Sequence, residues 1–174
     1  DGEATTADVE WASNGTWNTS NGTATPDAEL MNGYIDHTTA DPGQSTVTFS
    51  DIPYEYFDVV AYFGSDGNGR TGAVTDGTTS YSYSTFSNNP SGGDPAGFTS
   101  ADYVLTTDTA DGNPSANYAV FKGLTGGTVT LDIIRGSNNS GFHAVQIVEA
   151  IPEPATIALV GMSLIGLGFL RRRR

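Results

Sequence analysis

Short runs in which apolar and polar residues alternate one by one, each closed by Gly, Asn, Asp or Pro, recur through residues 1–150 of this 174-residue chain. A period of two puts successive side chains on opposite faces of an extended strand, so these runs read as half-buried strands and not as amphipathic helices. Thr46–Ser50 (TVTFS) sets Val47 and Phe49 on one face, and Thr128–Ile134 (TVTLDII) does the same with Val129, Leu131 and Ile133. Phe142–Val148 aligns Val145 with Ile147, Thr79–Ser84 alternates tyrosine with hydroxyls, and Tyr118–Phe121 is a shorter run. Tyr56–Phe63 is apolar on both faces except at Asp58, the pattern of a central strand covered twice. Val9–Trp11, Leu30–Ile35 and Tyr103–Leu105 are weaker candidates, and no segment before residue 151 has a helical period. Polar stretches at 14–25, 87–97 and 107–116 read as loops. The expected fold is all-β, an antiparallel, jelly-roll-like β-sandwich of roughly eight or nine strands, followed by a single C-terminal hydrophobic helix.

Charge divides the chain in two, with an exported acidic sandwich expected over 1–149 and a sorting tail over 150–174. Residues 1–150 hold three cations, Arg70, Lys122 and Arg135, against nineteen acids, a net charge of −16. A surface that acidic repels phosphate backbones, so nucleic acid is not an expected partner. The absence of cysteine removes disulfide frameworks, thiolate zinc sites and cysteine nucleophiles together.

The tail begins with Pro152, Glu153 and Pro154, continues as an uncharged run from 155 to 170, and ends in Arg171, Arg172, Arg173 and Arg174. As a helix that run would extend roughly 24 Å, short of a hydrocarbon core of about 30 Å but within reach of a thinner bilayer with snorkelling arginines. Four terminal arginines act as a stop-transfer and stay on the cytoplasmic side, which leaves the acidic region across the membrane. A terminal core helix with a solvated basic end is the competing reading. The run's lack of a polar stripe weighs against it.

The order Pro-Glu-Pro, short apolar helix, arginine cluster resembles the PEP-CTERM sorting tail of Gram-negative bacteria. The resemblance implies an exosortase-type membrane peptidase as partner, with Pro152, Glu153 and Pro154 as its recognition element and residues 155–174 removed. It also implies an inner-membrane-anchored precursor that ends at the cell surface or outside the cell. Two prolines hold the motif extended, as a processing enzyme requires. Residues 1–20 contain neither an apolar h-region nor a basic n-region, so a signal peptide is expected to have preceded Asp1. The glycine-rich stretches 64–72 and 123–131, with 144–148, resemble galactose-binding-like or jelly-roll ectodomains.

Several loops invite a binding role. Asp66, Asn68 and Arg70 begin like a calcium loop, but Arg70 puts a cation at the next ligand position. Asp111 and Asn113 have alternate acceptors without the distal glutamate. Turn chemistry explains both, and calcium remains a weak cofactor expectation with no other cofactor foreseen. Arg70 is expected to pair with a neighbouring aspartate, with a sugar clamp as the alternative. Among the aromatics near polar loops, Trp11 is expected in the core, while Trp17 is the better candidate for exposure, its expected role being to cap the end of the sandwich and stacking a sugar ring the alternative. Tyr34 lies beside them.

Catalysis finds no pattern: His143 shares strand parity with Val145 and Ile147, and His37 has no nucleophile tied to it. The expectation is a non-enzymatic surface or matrix protein associated with exopolysaccharide or biofilm. The alternatives are a carbohydrate-binding module, perhaps calcium-assisted, and, ranked lower, a surface glycosidase or lyase.

Overall fold

A computed structural model describes residues 5–19, 25–36, 45–85, 98–136 and 139–151. Ten strands, one short α-helix and a 3-10 turn (Ser100–Asp102) occupy them: β1 (Asp8–Ala12), β2 (Gly15–Asn18), α1 (Pro26–Leu30), β3 (Gly33–Asp36), β4 (Ser45–Ser50), β5 (Phe57–Gly64), β6 (Thr71–Thr75), β7 (Ser80–Ser84), β8 (Tyr118–Leu124), β9 (Val129–Arg135) and β10 (Gly141–Glu149). They form two five-stranded sheets, ordered β1-β4-β9-β6-β7 and β2-β3-β10-β5-β8. Every pairing within them is antiparallel. Setting aside β1 and β2, the remaining order is β4-β9-β6-β7 against β3-β10-β5-β8. The chain crosses from sheet to sheet at every connection but β6–β7, which is the jelly-roll arrangement. The first two strands widen it, one at the edge of each sheet.

The alternation seen in the sequence becomes the core. Phe57, Val59, Ala61 and Phe63 of β5 are fully buried, as are Val74, Tyr83, Leu131 and Ile133 from the facing sheet. Burying each large apolar side chain contributes about 1.5–3 kcal/mol before entropy is charged against it. Phe63 and Tyr83 stack with centroids 4.1 Å apart. The Tyr83 hydroxyl reaches Ser140 Oγ at 3.0 Å inside the core, and burial pushes its ionisation well above the ordinary phenol range. Gly72 lies opposite Tyr83 in the β6–β7 ladder. A Cβ there would stand 2.7 Å from the phenol oxygen, so the glycine makes room for the ring.

The second face of β5 is covered in part. Asp58, Val60 and Tyr62 are half-buried, and Tyr62 packs against a small cluster of Ala28, Met31 and Phe98 with Tyr103. Here α1 supplies a helix that no periodicity announced. Its five residues are set by capping chemistry, with Thr25 Oγ1 accepting from Ala28 N at 3.0 Å and Pro26 in the first turn.

Five other points differ from the sequence's expectations. β2 falls in a stretch read as loop, and β6 (TGAVT) was not anticipated. Leu30 ends α1, so the strand expected over 30–35 begins at Gly33. Tyr103–Leu105 is a single bridge, Leu105 to Tyr118, with no strand of its own. Trp11 is 58 % exposed, as is Val9. Both do share the inward side with Val47 and Phe49 in register, but β1 is the outermost strand of its sheet. They therefore rim an open groove over Ile35, Phe142 and Val145.

Candidate functional site

Between β5 and β6 the chain makes a tight loop that fixes Arg70. Gly69 takes φ +72°, its N–H donates to Thr85 O at 2.6 Å, and Arg70 N donates to Thr85 Oγ1 at 3.1 Å. Ser65 and Thr85 both donate their hydroxyls to Gly67 O at 2.7 Å. The Arg70 side chain folds back across Gly67, where a Cβ would lie 3.0 Å from its guanidinium. It forms an ion pair with Asp66 and donates to Asn139 O at 2.9 Å. The pairing expected from the sequence is what the loop contains, and Asp66 faces a guanidinium where a calcium loop would face the metal. Asn68 is also engaged.

Tyr34 connects this loop to β2. Its hydroxyl donates to Asp66 Oδ1 at 3.3 Å, and desolvation, reinforced by Asp36 and Asp66, pushes its ionisation well above the usual phenol range, so it remains a donor. Trp17 lies opposite Tyr34 in the β2–β3 ladder, hence on the same face. Trp17 is 57 % exposed and Tyr34 only 3 %, so the indole alone offers a face to solvent. His143 completes the corner, its ring centroid 5.2 Å from that of Tyr34. Its Nδ1 lies 3.0 Å from Gly33 O, and a carbonyl can only accept, which assigns the proton to Nδ1. Nε2 is enclosed with no hydrogen-bond partner among the described residues. Burial lowers the imidazole pKa to about 4, the Gly33 bond opposing it weakly. Trp17, Asp66 and Arg70, candidate ligand residues from the sequence, thus belong to one corner through Tyr34 and His143. That connection spans 32 residues between Tyr34 and Asp66 and has no local signature.

Asp111 and Asn113 belong to a loop closed by local hydrogen bonds. Both take left-handed backbone, φ 56° and 51°, and Asn113 Nδ2 donates to Asp111 O at 2.7 Å. The organiser of this loop is Asp108. Its Oδ1 accepts from Ala110 N at 2.7 Å and Gly112 N at 3.3 Å, and from the Ser82 hydroxyl at 3.1 Å. Those N–H bonds hold its carboxyl below the ordinary aspartate range. The aspartate four residues ahead of Gly112 was the available signal. No group of three or more His, Asp or Glu side chains is placed to hold a metal among the described residues.

β10 carries the chain to the surface. Ala150 N donates to Tyr56 O at 2.9 Å, and Ile151 is 87 % exposed. Pro152, Glu153, Pro154, the run 155–170 and Arg171–Arg174 lie outside the described residues, as does His37. No helix among the described residues is long and apolar enough to cross a membrane. Compared with models of protein families, residues 150–174 match the PEP-CTERM protein-sorting motif. No curated protein matches the chain. The motif makes the chain an exported, membrane-anchored precursor that exosortase, a membrane protein, then processes.

Proposed function

We propose that the sandwich is the cargo of this tail, a non-enzymatic protein of the cell surface or extracellular matrix held among exopolysaccharide, as in a biofilm. The observation that carries the reading is the sorting motif at residues 150–174, which starts where the last strand ends. Support comes from the polar groups with the best claim to chemistry, which are engaged by their neighbours. Arg70 is committed to Asp66 and Asn139, and the Nδ1 proton of His143 to Gly33. The test is to recover the protein from its native cells and measure its mass and location. We expect a surface or matrix protein lacking residues 155–174. Intact chain resident in the inner membrane overturns the reading.

A second reading, a carbohydrate-binding module, is favoured by one observation, the exposed indole of Trp17 over the Tyr34–His143 corner. Such a platform stacks a sugar ring through its π-face. Calorimetry against the host exopolysaccharide, with and without calcium, tests it. Saturable heat without turnover supports the module, calcium dependence would point to the acidic loops, and product formation would mean an enzyme.

A further inference from the structure

The outer strands β7 and β8 do not pair with each other. The segment around Thr106 ties them together, with Thr106 N donating to Tyr118 O at 2.9 Å, Ser82 N to Asp108 O at 2.8 Å, and Thr106 Oγ1 to Ser82 O at 2.8 Å. Beside this tie lies a groove of about 500 Å³ whose lining includes Asp76, Thr79, Tyr81, Leu105, Thr107 and Lys122. That volume is in the range of small-molecule sites. Its floor is apolar, with Tyr81 packed on the buried Phe121 at 5.2 Å between centroids and Leu105 44 % exposed.

Two charged groups on its walls differ from those of the Arg70 corner. Asp76 is preset by its own turn, Oδ1 accepting from Thr78 N at 2.9 Å and Thr79 N at 2.6 Å. Lys122 is exposed and has no ion pair among the described residues, whereas Arg70 is neutralised by Asp66. An ammonium that donates, a carboxylate that accepts, and threonine hydroxyls that do both, set around an apolar floor, match a ring bearing several hydroxyls. A polyanion is disfavoured by Asp76 and by the net charge of −16 over residues 1–150.

We propose that the groove between β7 and β8 is a binding site for a neutral saccharide, with Lys122 and Asp76 as its polar contacts and Tyr81 and Leu105 as its floor. This rests on the carbohydrate-binding reading and adds a site distinct from the Trp17 corner. The experiment is calorimetry on the full chain in a detergent without a sugar headgroup. The probes are neutral gluco-, galacto- and manno-oligosaccharides, with oligogalacturonate as the anionic comparison. Wild type is expected to bind a neutral probe saturably. Lys122→Met, at an exposed position, removes a charge-assisted hydrogen bond and should weaken binding about tenfold or more, as should Leu105→Ser, while Glu10→Gln, exposed on β1 at the sheet edge opposite β7, leaves it unchanged, and Trp17→Ala tells the two sites apart. Circular dichroism melts on each variant separate lost binding from lost folding. Weakening by Trp17→Ala alone overturns the groove and leaves the module standing. Preference for oligogalacturonate overturns the neutral-ligand assignment, and silence toward every probe overturns both groove and module.

Discussion

Acidification should loosen this sandwich through one histidine. In the folded protein the imidazole of His143 has its pKa lowered to about 4, against an ordinary value of 6.5. Between those values the unfolded chain binds a proton that the folded chain refuses. Stability is therefore full above pH 6.5, falls as the pH drops towards 4, and is not lowered further by this group below that. At about 1.4 kcal/mol per pH unit, that interval sets an upper limit of about 3 kcal/mol. This is a large share of the 5–15 kcal/mol by which native proteins are typically stable. The structural cause is the enclosed Nε2: protonated, it becomes a donor with no acceptor, while Nδ1 keeps its bond to Gly33 O. The assay is urea unfolding at pH 7.5, 5.5 and 4.0 for wild type and His143→Asn. The amide of asparagine can replace the Nδ1–H donor to Gly33 and does not titrate. The variant loses ring packing on Tyr34 and starts lower, so the informative quantity is the gap between the two stability curves. It should narrow by about 2–3 kcal/mol on going from pH 7.5 to 4.0. Carboxylates elsewhere contribute to both curves and cancel. A gap that stays constant within about 0.5 kcal/mol would refute the argument, because it would mean that the protonated ring finds a partner or water at no cost.

Three further outcomes follow from particular contacts. Gly72→Ala brings a Cβ to 2.7 Å from the Tyr83 oxygen in a closed core and should cost about 1–3 kcal/mol in urea unfolding; an unchanged midpoint would mean that the Tyr83 ring can shift freely. Asp108→Asn should flatten the loss of stability at low pH, because the carboxylate, held below its ordinary 3.8 by the Ala110 and Gly112 N–H groups, stabilises the fold above that value and stops doing so as the pH falls through its lowered pKa. Glu153→Ala, expressed in the native cells, should leave residues 155–174 attached, read as an increased mass in the membrane fraction.

The sequence made legible those strands whose stability comes from side chains. β4, β9 and β10 alternate because one face of each meets the core, and Val47, Leu131 and Ile133 are buried as that pattern requires, whereas Phe142 is buried off the parity of Val145 and Ile147 because the register of β10 shifts between Phe142 and Ala144. β6 was opaque for the opposite reason. It lies between β9 and β7, and its place is held by two backbone ladders and by the space Gly72 gives Tyr83, so TGAVT needs little hydrophobicity. Similarly, β2 is held by its ladder to β3 while most of its side chains face water. Trp11 was misplaced because periodicity gives a side chain's face but not how far the opposite sheet extends. At the candidate corner the i,i+4 ion pair of Asp66 and Arg70 is local and could be read. The Tyr34 hydroxyl that joins it to Trp17 depends on the sandwich bringing β3 beside the β5–β6 loop.

The bond from Ala150 to Tyr56 makes the precursor a load on a very short leash. Only Ile151 separates Ala150 from Pro152, and two residues of fully extended chain cover at most about 7 Å. A peptidase that gripped Pro152–Pro154 would therefore meet the folded sandwich at its mouth, with the end of the sandwich near Tyr56 against its rim. β5 runs away from that end for eight residues, roughly 26 Å at 3.3 Å per residue, before the chain turns into the Asp66–Arg70 loop. Bulk added near Tyr56 or Ile52 should thus slow release of the cargo, while the same bulk at the Asp66–Arg70 end should pass unnoticed by the enzyme.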